Sequence, residues 1–219
     1  MNKIPVYFVP GMAANTTIFE NISLPAEQFE VVFIPWKLPK SKETIQQYAK
    51  RMASEVKHDN AVLIGVSFGG VMVQEMAVFL KLRKLIIISS VKSTSELPRR
   101  MKIAKTTKAY KLLPTSWLKD VEKFVKYAFG DNLKRKLKLY EKYLHVRDKN
   151  YLDWALENMM CWERAKCDPN VIHIHGDADE VFPVKHIKDY IKVKGGTHAM
   201  ILSKYKWFNA NLPKIITEE

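Results

Sequence analysis

Short, nearly uninterrupted apolar and β-branched runs recur along the chain at Val6–Val9, Glu30–Pro35, Ala61–Gly65, Leu85–Ser89, Val171–His175 and Tyr190–Val193. Continuous rather than alternating hydrophobicity fits strands covered on both faces, as in a parallel sheet. Helical patterns lie between them. In Ser41–Val56 the residues Ile45, Tyr48, Met52 and Val56 return at helical intervals and define one apolar face. Ser41 is placed as the N-cap and Glu43 at the positive end of the helix dipole. Thr44 then stands where a capping box anchored on Ser41 would carry Glu or Gln. Alternating strands and helices predict an α/β fold, doubly wound, with a mainly parallel sheet of about six strands.

The rhythm breaks once. Roughly 80 residues separate the Leu85 run from the Val171 run, whereas a crossover needs only about a dozen. An insertion over residues 92–167 is therefore predicted, with 1–91 and 168–219 forming one core domain. Inside it Leu133, Leu137, Tyr140 and Leu144 make one stripe, while Lys134, Arg135, Lys136, Lys138 and Lys142 face the other way. Such a pattern fits a small helical lid. Its large apolar side chains, Trp117, Phe124, Phe129, Trp154, Met159, Met160 and Trp162, are read first as core and second as the wall of an acyl pocket.

Composition narrows the class. With 219 residues, 47% of them hydrophobic and 27% charged, the chain can bury a sizeable core without disulfide or metal staples. The balance of 36 Lys and Arg against 23 Asp and Glu leaves a net charge of +13, which favours anionic partners. Residues 92–166 hold 19 of those basic residues against 9 acids, so most of the surplus sits on the insert. Of the basic side chains 29 are Lys and only 7 are Arg, the usual bidentate reader of phosphates and bases. No nucleic-acid-reading motif accompanies the charge, and a nucleic-acid partner is not expected. Cys161 and Cys167 match neither a redox pair nor a zinc knuckle and are read as reduced thiols in a cytoplasmic protein. Met1–Ala14 imitates a signal peptide, but Pro5, Pro10 and Gly11 interrupt it, and no run approaches the roughly 18 apolar residues of a membrane span.

Chemistry concentrates in three places. Leu63–Met72 reads as a strand that enters Gly65-Val66-Ser67-Phe68-Gly69 and leaves as a helix, the pattern of a nucleophile elbow. A turn that tight holds Ser67 in the open and leaves no room for side chains at Gly65 and Gly69. A serine needs a base to take its proton. Of the six histidines, His198 stands on a loop, Gly195–Met200, after the last strand pattern, and is the candidate. His58, His145 and His186 fall in helical or polar segments. His173 and His175 fall in a strand, where structural roles are expected and no third ligand suggests a metal. The base needs an orienting carboxylate. Asp177, Asp179 and Glu180 follow the carboxyl end of the Val171 strand, and Asp179 is chosen.

The order Ser67, Asp179, His198, together with these three motifs, resembles the α/β-hydrolase superfamily over essentially the whole chain. The resemblance implies a sheet that lacks the family's first two strands and carries its lid after the fourth strand present. It matches His175, Gly176, Asp179 and Pro183 to an H-G-x-x-D-x-x-x-P loop and leaves Asp177 as a turn residue. It implies an oxyanion hole from the backbone N–H groups of Phe68 and Met12. The loop Phe8–Ala13 departs from the family pattern, with Pro10 where a histidine is usual. The implied activity is hydrolysis of a small-molecule carboxylic ester or thioester, anionic ones included, without cofactor or metal. Acyl transfer, amide or C–C bond hydrolysis at the same site, and a non-catalytic binding role, remain open because fold and triad do not fix the reaction.

Overall fold

The computed structural model describes residues 3–112, 142–143 and 146–218. Six strands form one sheet: β1 (Ile4–Val9), β2 (Phe29–Phe33), β3 (Ala61–Val66), β4 (Leu82–Ile88), β5 (Val171–Gly176) and β6 (Ile191–Val193). Their order is β2-β1-β3-β4-β5-β6 and every pair is parallel. All six apolar runs are strands. β3 is buried along its whole length, and β4 is buried from Leu85 onward, which explains their unbroken hydrophobicity. β4 begins at Leu82, earlier than the apolar run, because Leu82 pairs with Ala61 and Lys84 with Val62 at its more exposed end, with Arg83 bulged between them.

The helices are α1 (Ile45–Ala53), α2 (Phe68–Met76), α3 (Arg99–Thr107), α4 (Lys149–Cys161), α5 (Met200–Ser203) and α6 (Tyr205–Thr217). The step from β1 to β2 runs opposite to every later step across the sheet. Right-handed crossovers therefore put the short helix Thr16–Phe19 on one face and α1 and α2 on the other. The C-terminal helix joins the first face: Ser23 N–H donates to Asn209 Oδ1, and Asn209 Nδ2 donates to Asn21 O, both at 2.9 Å. The sheet is thus doubly wound.

One start signal needs correction. The N-cap of α1 is Thr44, not Ser41, and a full capping box exists. Thr44 Oγ1 accepts from Gln47 N–H (3.2 Å) while Gln47 Oε1 accepts from Thr44 N–H (2.9 Å). Lys42, at φ 57°, turns the chain before the cap. The apolar face survives the shift, since Ile45, Tyr48 and Met52 are buried.

Between β4 and β5 the chain inserts α3 and α4. Trp117, Phe124, Phe129 and the stripe Leu133, Leu137, Tyr140 and Leu144 lie outside the described residues. Met159 and Trp162 are core, and Trp162 Nε1–H donates to Glu75 Oε1 at 3.0 Å. Arg164 reaches the same oxygen at 2.9 Å, so the end of the insert is pinned to α2. Cys161 and Cys167 are free thiols. Among the described residues no helix is long and apolar enough to cross a membrane.

Candidate active site

A parallel sheet delivers the carboxyl ends of all its strands to one edge, and the segments that leave that edge carry Met12, Ser67, Phe68, Asp179 and His198. β3 ends at Val66, and Ser67 follows at φ 54°, ψ −119°, a conformation that costs about 1–3 kcal/mol and recurs at functional sites. The turn is tight enough that a Cβ on Gly65 would stand 2.2 Å from Gly69 O. One on Gly69 would stand 2.3 Å from Pro10 O, so the elbow packs backbone to backbone against the loop after β1. Ala13 (φ 62°) in that loop and Ser89 (φ 48°) after β4 share the left-handed backbone.

The three side chains meet. Ser67 Oγ lies 2.9 Å from His198 Nε2, and His198 Nδ1 lies 2.9 Å from Asp179 Oδ2. Asp179 is buried, and its other oxygen accepts from Val181 N–H (2.8 Å) and Phe182 N–H (2.9 Å). Burial opposes the charge on this carboxylate, but the imidazole of His198 and the Phe182 N–H outweigh it and hold the acid below the usual range. Hydrogen bonds to both of its oxygens thus keep the group ionised and fixed.

Asp177 sits two residues away and does something else. Its Oδ1 accepts from Gly195 N–H at 2.6 Å, and Ala178 N–H donates to Gly196 O at 3.0 Å. These bonds lace the acid loop to the histidine loop. Gly176 permits the approach, since a Cβ there would stand 2.1 Å from Gly196 O.

Phe68 follows the serine directly, and Met12 follows Gly11, where an added Cβ would stand 3.5 Å from Ser67 Cβ. Neither backbone N–H meets an acceptor among the described residues. Phe68 is buried as the first residue of α2, so its N–H is one of the four that a helix leaves without an intrahelical acceptor.

Three supporting residues escaped the sequence. Ser90 Oγ–H donates to Ser67 O at 2.7 Å. Trp36 Nε1–H donates to Gly11 O at 2.9 Å while its ring stacks on Phe68 with centroids 5.5 Å apart, joining the loop after β1 to the elbow. From the insert, Arg100 Nη2 donates to Glu180 O (2.7 Å) and Val181 O (3.1 Å) in the acid loop. Val146 N–H donates to Ala13 O at 3.0 Å and Asn15 N–H to Tyr143 O at 3.1 Å. Trp154, read from sequence as core or pocket wall, packs on Tyr48 and Phe68 and donates from Nε1 to Glu43 O at 2.7 Å. Among the described residues no three His, Cys, Asp or Glu side chains gather to hold a metal.

Comparison with solved structures identifies the architecture. An α/β hydrolase fold protein from Burkholderia ambifaria superposes with a TM-score of 0.69 at 14% identity, covering 97% of this chain and 91% of that one. A hydrolase from Pseudomonas aeruginosa PA01 gives 0.74 at 13% identity, covering 98% and 90%. An esterase from Exiguobacterium antarcticum gives 0.69 at 17% identity, covering 99% and 93%. A bromoperoxidase from Bacillus anthracis also matches. At these identities the likeness shows the fold alone. No family model and no curated protein matches the chain.

Proposed function

From an α/β-hydrolase fold as premise, we propose that this chain is a serine hydrolase that opens a carboxylic ester or thioester through an acyl-enzyme intermediate. The observation that carries the reading is the unbroken line from Ser67 Oγ through His198 to the ionised Asp179, two contacts of 2.9 Å each. Ser67 Oγ attacks the carbonyl carbon as His198 Nε2 takes its proton. Asp179 accepts the Nδ1–H, fixes the tautomer and stabilises the imidazolium. The N–H groups of Met12 and Phe68 receive the oxyanion, and His198 then returns the proton to the leaving group. Water attacks the acyl-enzyme with the same base. Protein groups and water complete the cycle. Residues 1–91 and 168–219 act as the core and 92–167 as a lid.

The test is covalent labelling with a fluorophosphonate probe, followed by hydrolysis of acyl esters and acyl thioesters of graded chain length. Labelling at Ser67 together with turnover of at least one series is expected. A fully folded protein that neither labels nor turns over any of them would leave the fold without this activity.

The charge of the insert adds a substrate expectation. Residues 92–166 hold 19 basic and 9 acidic residues, and a surplus of that size on the same chain is expected to raise the local concentration of anions even where no Lys touches them. The screening length is about 8 Å at physiological salt. Accordingly kcat/KM for an acyl-CoA should fall between low and high salt, while a neutral ester of similar acyl chain changes little. Identical salt profiles would make these lysines ordinary solvated surface.

A further inference from the structure

Beside Asp179 lies a pair of buried histidines, His173 and His175, that the proposed reaction does not use. His173 and His175 point the same way from β5, and His175 is 0% exposed. His175 Nε2 lies 2.8 Å from Phe182 O and 3.6 Å from Asp179 Oδ2. His173 Nε2 lies 3.0 Å from His175 Nδ1. The direction of the chain follows from chemistry. A carbonyl only accepts, so His175 Nε2 carries the hydrogen; in the neutral ring Nδ1 is then the acceptor, and His173 donates to it from Nε2.

Phe182 is thereby held at both ends of its backbone. Its carbonyl accepts from His175, and its N–H donates to Asp179 Oδ1 at 2.9 Å. The line of contacts runs from His173 through His175, Phe182, Asp179 and His198 to Ser67. The other oxygen, Oδ2, lies 2.9 Å from His198 Nδ1 and 3.6 Å from His175 Nε2. Burial lowers the basicity of both strand histidines and outweighs the pull of Asp179 on His175, so the pair stays neutral. The titratable groups facing His175 are Asp179, His198, His173 and Tyr190, whose ring meets it edge-on with centroids 5.9 Å apart. Lys92 acts electrostatically on His173.

We infer that His175 is a positioning residue: by clamping the Phe182 peptide and flanking Oδ2, it sets the orientation in which the Asp179 carboxylate meets His198. The inference rests on the serine-hydrolase reading. An apolar residue would fill the same space in the strand without needing partners for two ring nitrogens, so the imidazole is explained by what its N–H holds.

The experiment compares His175→Leu, which removes the donor, with His175→Gln, whose amide extends an N–H toward Phe182 O. Hydrolysis of 4-nitrophenyl acetate and the rate of fluorophosphonate labelling are followed across pH, with folding checked by circular dichroism. His175→Leu should lose up to about 100-fold in kcat with little change in KM, the scale of a small misplacement at a reacting centre. Its acid limb should move to lower pH, because a displaced carboxylate stabilises the imidazolium of His198 less. His175→Gln should recover most of both. If His175→Leu does not fold, His175→Asn, too short to reach Phe182 O, replaces it in the comparison with Gln. Equal kcat and equal acid limbs for the donor-lacking variant and the unaltered protein would overturn the inference, as would a Gln variant no better than Leu or Asn. Failure of the unaltered protein to label would instead defeat the serine-hydrolase reading itself.

Discussion

Replacing Ser67 with alanine is expected to abolish fluorophosphonate labelling and to lower kcat on simple aryl esters by a factor on the order of 10³ or more, with the fold unchanged. The size follows from the part removed. Without Oγ there is no atom 2.9 Å from His198 Nε2 to attack a carbonyl, and the proposed oxyanion donors, the N–H groups of Met12 and Phe68, would polarise a substrate only toward water. The intact fold follows from the backbone. Serine and alanine carry the same Cβ at φ 54°, so the substitution neither adds nor relieves the strain of the elbow. The bonds that fix this turn, Ser67 N–H to Ile88 O (2.9 Å) and Ser90 Oγ–H to Ser67 O (2.7 Å), involve main-chain atoms of Ser67 and survive. Rates before and after the substitution, beside matched circular dichroism spectra, decide the matter. A variant that retains most of its esterase activity would remove Ser67 from the reaction.

That so much of this edge could be read from sequence has a physical reason. A sheet wound on both faces must bury both sides of its central strands, so β1, β3, β4 and β5 appear as continuous apolar runs, and their parallel order then sends every strand-ending loop to one edge. Ser67 and Asp179 follow two such strands, β3 and β5, and His198 follows the short edge strand β6; the motifs around them are enough to mark them as candidates. What escaped depends on register and packing. His175 looks like an ordinary strand residue until the Phe182 carbonyl folds back onto it, and Ser90 gains meaning only because β4 lies beside β3. Trp36 bridges two loops that no local pattern connects. The start of α1 was misplaced for a more local reason: Ser41 and Thr44 are both good caps, and the choice between them was made by Gln47, which completes a box only with Thr44.

The two acids of one loop offer the sharpest discrimination, because they differ by two positions and by what their oxygens hold. In Asp179→Asn the oxygen that accepts from Val181 and Phe182 must remain an acceptor, since both partners are backbone N–H groups at 2.8 and 2.9 Å. The amide nitrogen is therefore forced into the place of Oδ2, facing His198 Nδ1 at 2.9 Å. Two donors cannot face each other, so the imidazole turns to the tautomer with hydrogen on Nε2, the atom that has to take the proton of Ser67. Comparable substitutions in such triads cost on the order of 10⁴ in kcat with geometry preserved. Asp177→Asn keeps an oxygen for Gly195 N–H, loses only a long contact of 3.9 Å to the exposed Lys192, and should change kcat less than about 10-fold. Measured side by side on one aryl ester near neutral pH, Asp179→Asn should be slower by orders of magnitude. The reverse ranking would shift the orienting acid two residues toward the strand and leave Asp179 as the residue that merely shapes the loop.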